Sequence, residues 1–294
     1  MSDLPQSDSA LSRVYSILFV LCCAALGVIA LYSSGIGLLD PKLHRATGFA
    51  LALIVGVVVA RRKREADTEQ GPMAVLHSVG DLLLIGFGLW SIWSFYFVQT
   101  EMEVALYDVT QRDAWPALAG LIVFLELCRR LWGWGLFLVG SLAVIYLLFG
   151  AGMPGILAHT GFSLTEVSEA LWYNTNKGVF GSITNIVLST VFIFIIFGTL
   201  LEGTGAGATL LKFAFLATRR TRGGPAHAAI LASSMFGTMS GSTVANIVGT
   251  GTFTIPMIKR RGFSPTFAAG IEATASSGGQ IMPPIMGAAA LVMA

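Results

Sequence analysis

Charge is what this sequence has least of. Asp, Glu, Lys and Arg make up 12% of its 294 residues, about half of the roughly 25% typical of soluble domains. That disfavours a cytoplasmic enzyme, a disordered regulator and a nucleic-acid binder. The net charge is only +2, and the basic residues fall in short clusters between apolar runs, a loop pattern rather than a phosphate-binding face. Cysteine is scarce too. Cys22, Cys23 and Cys128 lie inside or at the end of apolar runs, where they read as small hydrophobes rather than a disulfide framework. The sequence has no CxxC, HExxH, nucleophile elbow, Walker or dinucleotide-binding motif. No paired acid and base, metal-ligand spacing or organic cofactor is indicated. The chain reads as a non-enzyme, and an ATP-driven pump is disfavoured.

What is present is apolar sequence. Hydrophobic residues are 54% of the chain and the mean hydropathy is +0.75. Runs of about 20 apolar residues are the unit that crosses a bilayer. Such runs cover Val14–Ser34, Leu43–Ala60, Val75–Val98, Ala114–Cys128 continuing to Leu131–Phe149, and Ile183–Leu201. The fourth is too long for one helix, and Cys128-Arg129-Arg130 divides it, which predicts six spans. The first run is longer than a signal-peptide core and lacks a small-x-small cleavage site. With the N-terminus in the cytoplasm, the inner segments hold eleven Lys and Arg residues: Arg13, Arg61, Arg62, Lys63, Arg64, Arg129, Arg130, Lys212, Arg219, Arg220 and Arg222. The outer segments hold Lys42, Arg45, Arg112 and Lys177. The positive-inside rule favours that orientation.

Two further segments read as helices that do not span. Phe162–Lys177 opens on a Ser163-to-Glu166 capping pattern and suits either an amphipathic helix on the outer surface or a packed connector. Gly207–Thr218 offers the same alternatives on the inner side. Composition shifts near residue 130, from four spans with short loops to sequence rich in Gly, Ser and Thr. We therefore expect a four-span module over 1–130 and a second module over 131–294.

Pro225–Arg261 breaks the spanning pattern. Apolar arms of about 11–14 residues flank the polar centre Gly237-Thr238-Met239-Ser240-Gly241-Ser242-Thr243, with basic clusters at both ends. That predicts a re-entrant hairpin whose tip lies near the bilayer midplane. Non-helical backbone at that depth must be buried in protein or line a wet cavity. Ser240, Gly241, Ser242, Thr243 and Asn246 place hydroxyls, an amide and free backbone there. Such oxygens suit a hard cation such as Na⁺, and helix N-termini suit an anion. Phe267–Ala275 then reads as helix, interrupted by Gly278, Gly279, Gln280, Pro283 and Pro284. The break predicts a discontinuous membrane helix, a recurring device of secondary transporters. Small residues also serve helix packing, and a Pro can simply kink a helix. Glu272 lies within this apolar stretch, where a carboxylate is either functional or paired at the interface. Glu126 precedes Arg129 and Arg130 by three and four residues and reads as a local ion pair. His159 and His227 lack metal-ligand spacing.

The expected fold is therefore all-α: a polytopic membrane protein with a re-entrant helical hairpin and a discontinuous helix. The runs SGSTVANIVGTGTFTIPMIKRRGF and GIEATASSGGQIMPPIMGAAA resemble the permease of a tripartite ATP-independent periplasmic (TRAP) transporter. More narrowly the chain is similar to TAXI-type permeases, in which a small four-span subunit is fused to the large one. The signal lies mostly within 225–290, and residues 1–130 match in layout alone. The resemblance implies a multi-pass importer of the bacterial inner membrane, driven by an ion gradient, usually Na⁺, and supplied with organic acids, including dicarboxylates, by a periplasmic substrate-binding protein. It implies that Ser240, Gly241, Ser242, Thr243 and Asn246 form a hairpin tip facing the break at Gly278, Gly279, Gln280, Pro283 and Pro284, with cation and substrate between them. Membrane lipid and the remaining large-subunit sequence are the other implied partners, and nucleic acid is not one. Family large subunits continue into an inverted repeat. The expectation is thus an N-terminal part completed by further sequence or a separate chain, which would not transport by itself. The alternative is a truncated, non-transporting scaffold.

Overall fold

The computed structural model describes residues 10–37, 40–67, 73–104, 107–155, 158–221, 223–283, 285–287 and 290. The chain is 84% helical, with no strand among the described residues, so it is an all-α protein. Among the described residues, five helical segments are long and apolar enough to cross a membrane: Tyr15–Ser33, Pro41–Glu65, His77–Val104, Trp134–Gly152 and Ser182–Leu201. The chain divides into two compact units, Met1–Asn185 and Ile186–Ala294.

The first unit begins with α1 (Ala10–Gly35), α2 (Pro41–Asp67), α3 (Met73–Val104), α4 (Gln111–Trp132) and α5 (Trp134–Phe149). Each packs on the next, and α2 also reaches α4. The predicted break at Cys128-Arg129-Arg130 lies elsewhere. Arg129 and Arg130 stay helical because both bond Glu126, at 2.7 Å each, and the chain turns at Gly133, whose φ of 88° favours a residue without Cβ. Four helix-borne charges close one end of this bundle: Asp81 is buried on α3 and pairs with Arg130, and Arg61 and Arg64 of α2 lie 3.9 and 3.6 Å from it. At the other end Lys42 pairs with Glu103.

Of the two readings of Phe162–Lys177, the structure matches the packed connector. Ser163 caps α6 (Leu164–Ser168) through its bond from Glu166 N, and Glu166 bonds back to Ser163 N. A π-helical turn, Glu169–Tyr173, follows. It drives Trp172 and Tyr173 into a core with Ile92, Phe95, Val98, Ala117, Leu121 and Phe180. Phe180 stacks on Phe95 with centroids 3.9 Å apart. Gly120 makes room for the Trp172 indole: a Cβ there would lie 2.3 Å from the ring. Burying two large aromatics outweighs keeping this face on the surface, since each contributes several kcal/mol when fully buried.

The first unit ends in a short helix α7 (Ser182–Ile186), and the second runs through a π-turn into α8 (Phe192–Gly203), then α9 (Ala206–Thr218), α10 (Gly224–Ser240), α11 (Thr243–Arg260) and α12 (Pro265–Gly278). Helix α10 is its centre, packed against α8, α9, α11 and α12. The sequence explains this position. Its buried residues are mostly small: Gly224, Ala228, Ala229, Ala232, Ser233 and Gly237 among them, which let neighbouring backbones approach closely.

Candidate functional site

Helices α10 and α11 form the predicted hairpin, but its arms are longer than expected. They hold 17 and 18 residues, about 25 Å each, against a hydrocarbon core of about 30 Å. The reason is that Gly237–Ser240 and Thr243 remain helical, so only Gly241 and Ser242 make the turn. Gly241 takes φ 57° and closes α10 by donating its N–H to Gly237 O. Ser242 is extended and caps α11, its hydroxyl accepting from Ala245 N at 3.4 Å. The turn thereby brings the carbonyl end of one helix beside the N–H end of the next.

The second irregular segment meets this turn. Helix α12 runs on to Gly278, beyond the expected Ala275, and passes through a 3₁₀ turn, Gly279–Ile281, into extended backbone at Met282. Ile285 N then donates to Thr238 O at 3.3 Å, and Gly287 N to Gln280 O at 2.7 Å. The approach is close enough to require glycine on both sides. A Cβ on Gly237 would lie 2.4 Å from Gly279 Cα, one on Gly241 2.6 Å from Ile285 O, and one on Gly279 2.4 Å from Asn246 Nδ2.

The structure thus brings Gly237 against Gly279, and Gly241 against Ile285 and Met286, while Gly287 lies beside both Gly241 and Gln280. Pro284 lies outside the described residues. Gln280, Pro283 and Ser242 are exposed, while Ser240, Gly241 and Thr243 are half-buried. Hydroxyls of Ser240 and Ser242, the Gln280 amide and carbonyls at the ends of α10 and α12 supply oxygens for a hard cation. The N-terminus of α11 supplies N–H groups and a positive dipole end for an anion. Asn246 stands apart from the open tip. It is fully buried one turn below and ties the hairpin arms together by donating to Ser233 O at 2.8 Å.

Glu272 sits deeper still, 1% exposed. Sequence reading singled it out but missed its setting. Ser233, Thr250, Thr254 and Ser276, all buried, surround its carboxyl. The available signal was spacing: Asn246, Thr250 and Thr254 follow at every fourth residue, as do Glu272 and Ser276, which puts each set on one helix face. The other singled-out groups are structural. Glu126 bonds both arginines, His159 lies 2.9 Å from Tyr146 O, and His227 lies 3.1 Å from the Thr221 hydroxyl. Among the described residues no three His, Cys, Asp or Glu side chains gather to hold a metal ion.

Known proteins share this sequence pattern. Residues 118–294 match the family described as the tripartite ATP-independent periplasmic transporter, DctM component. The chain is 31% identical over 129 residues to a C4-dicarboxylate TRAP transporter large permease protein of Vibrio cholerae, an overlap of 44% of this chain and 27% of that one. It is 31% identical over 155 residues to the sialic acid TRAP transporter large permease protein of the same organism, covering 50% and 35% of the two chains. An uncharacterized protein of Sinorhizobium fredii is 40% identical over 91 residues, 31% of this chain and 22% of that protein. These alignments span about a fifth to a third of the relatives' own lengths. No solved structure matches significantly.

Proposed function

The chain belongs to the DctM component family of tripartite ATP-independent periplasmic transporters, and from that premise we propose that it is the permease component of an ion-gradient-driven importer of organic acids. It would act in the bacterial inner membrane, with substrate delivered by a periplasmic binding protein. The observation that carries this reading is the contact of the hairpin end, Gly237 to Gly241, with the helix break at Gly279 and the backbone after it, Ile285 to Gly287. Cation-attracting carbonyl ends and an anion-attracting helix N-terminus meet there, as co-transport of a cation and a carboxylate requires. Na⁺ is the ion that the hydroxyl and carbonyl oxygens of the turn suit. An acid substrate accords with the relatives, whose names specify C4-dicarboxylates and sialic acid. The turn holds no Lys or Arg, so a carboxylate would be held by N–H groups and hydroxyls or by groups from elsewhere in the complete permease. Residues 1–130 would be the fused small-subunit part and 131–294 the start of the large one, a division supported by the family match beginning at residue 118.

The test is uptake of a labelled organic-acid panel by proteoliposomes containing the complete permease, with and without its periplasmic binding protein and an inward Na⁺ gradient. Uptake that needs both supports the proposal. Folded protein that takes up none of the panel under any gradient would favour a scaffold that transports nothing.

A further inference from the structure

The Glu272 cluster is separate from the turn and has a chemistry of its own. Its carboxyl lies between α10, α11 and α12 and forms no ion pair among the described residues. Four hydroxyl groups take the place of a counter-charge. Ser233 and Ser276 reach Oε1 at 3.0 and 3.2 Å, Thr250 also bonds Oε1, and Thr254 bonds Oε2 at 2.6 Å. A lone charge in such a place is costly unless it is neutralised. A metal cation or a proton can do that.

The hydrogen-bond geometry favours the proton. A hard cation such as Ca²⁺ sits about 2.3–2.6 Å from several oxygens and therefore wedges them apart. Here the oxygens bond one another directly: Thr254 to Glu272 at 2.6 Å, Ser233 to Glu272 at 3.0 Å and Ser233 to Thr250 at 3.2 Å. The donor count also works for both charge states. Each hydroxyl has one proton to give. With Glu272 ionised, the hydroxyls donate to its oxygens. With Glu272 neutral, its O–H donates to the Thr254 or Thr250 oxygen, and that hydroxyl rotates onto a carbonyl already in reach, Thr250 O at 3.1 Å or Asn246 O at 2.8 Å. No polar atom loses its partner in either state, so the change costs a rotation rather than an unsatisfied group.

We propose that Glu272 is a proton-binding site of this permease, taking up and releasing a proton through the Thr250 and Thr254 hydroxyls, and that this proton is a second coupling ion beside the cation at the turn. The coupling role rests on the importer reading. One O–H bond forms on the carboxyl and one charge disappears on uptake, and release reverses both. The groups facing Glu272 are Ser233 from α10, Thr250 and Thr254 from α11 and Ser276 from α12; the turn Gly279–Ile281 contributes no titratable side chain. His227 on α10 is engaged by Thr221, and Lys259 and Arg260 are exposed in the last turn of α11.

The test is infrared spectroscopy of the complete permease across a pH series, with and without saturating Na⁺. The expected result is a pH-dependent C=O stretch of a protonated carboxyl that Glu272→Gln removes, Glu126→Gln leaves and Na⁺ does not displace. Thr254→Val keeps the carboxyl but deletes one partner, and shifts the band without abolishing it. A spectrum unchanged by Glu272→Gln overturns the proposal, as does a band abolished by Na⁺, which would make Glu272 a metal ligand. Uptake in the same samples separates the two readings. Import that a pH gradient drives in wild type but not in Glu272→Gln supports the coupling role, and equal pH-driven import in both overturns it. A wild type importing nothing defeats the importer reading, while the infrared band still decides whether Glu272 binds a proton.

Discussion

Gly237 has almost no room for another atom. Its Cβ would lie 2.4 Å from Gly279 Cα, and backbone cannot swing aside as a side-chain tip can. Gly237→Ala is expected to lower stability by about 1–3 kcal/mol, the usual cost of overpacking. Gly278 is the control: it is helical, with φ −62°, and has nothing within 4 Å of a Cβ, so Gly278→Ala should be neutral or stabilise by up to about 1 kcal/mol. Thermal unfolding in detergent measures both, and equal losses would show that the close contact is not formed. A second residue-scale prediction concerns pH. Asp113, in the first turn of α4, accepts from Tyr107 Oη, Thr110 N and Thr110 Oγ1 at 2.7, 2.9 and 2.6 Å. Partial burial pushes its carboxyl up, but these bonds together hold it below the ordinary carboxylate value. A depressed folded value means stability that is complete above the unfolded value, about 3.9, and lost as pH falls through the folded one. Asp113→Asn should therefore cost about 1 kcal/mol at neutral pH, and the gap to wild type should close below about pH 4. Melting curves at several pH values check this, and a gap independent of pH would refute it. Local patterns such as Glu126 with Arg129 and Arg130 were legible in the sequence because three- and four-residue spacing sets them. The partners of Glu272 were not, because they come from three helices whose packing no local spacing records.

Elements were legible wherever hydropathy alone decides them. The long apolar runs became helices, and the hairpin and the break after α12 appear where glycine and proline concentrate. Their limits were less legible. Polar residues at Gly237–Ser240 looked like a turn but remain helical, since hydroxyls can bond back to helix carbonyls, as Thr238 does to Met235 O at 2.6 Å. The π-turns at Glu169–Tyr173 and Val187–Val191 have no composition signal and answer to packing. What the hairpin does as an element can be isolated with two glycines. Gly241 and Gly205 both have positive φ, 57° and 78°, so alanine at either should cost about 1–2 kcal/mol of left-handed strain. Only Gly241 of the two faces neighbouring backbone, with Ile285 O 2.6 Å from where an alanine methyl would sit; Gly205 faces open space. Gly241→Ala should therefore cut organic-acid uptake by far more than its loss of stability explains, while Gly205→Ala should leave uptake close to wild type. Matching uptake in the two variants would remove the turn-to-break contact from the proposed transport cycle.

For the whole molecule, orientation has the largest consequence, because it decides which face of the first unit meets the cytoplasm. The charges of that unit separate by end. Lys42 bonds Glu103, and Arg45 donates to Thr175 O and Phe180 O at 2.9 and 3.0 Å. Arg61 and Arg64 are on the same helix, sixteen residues or more further along, or about 24 Å, where they meet Asp81 and its partner Arg130. The Arg-rich end thus gathers α2, α3 and α4, while at the opposite end Lys42 is bound to an acid and Arg45 to carbonyls. Arginine density near span ends is what retains a segment in the cytoplasm during insertion, so the Arg61–Arg64 end is expected inside and the Glu103–Asp108 end outside. Single cysteines decide it. With Cys22, Cys23 and Cys128 replaced, Asp108→Cys should react with a membrane-impermeant maleimide in intact cells, and Glu65→Cys only after permeabilisation. Both positions are exposed, so a failure to label would reflect sidedness rather than burial. The opposite labelling pattern would invert the bundle and place the basic cluster on the periplasmic side, against the bias that an excess of arginine imposes during insertion.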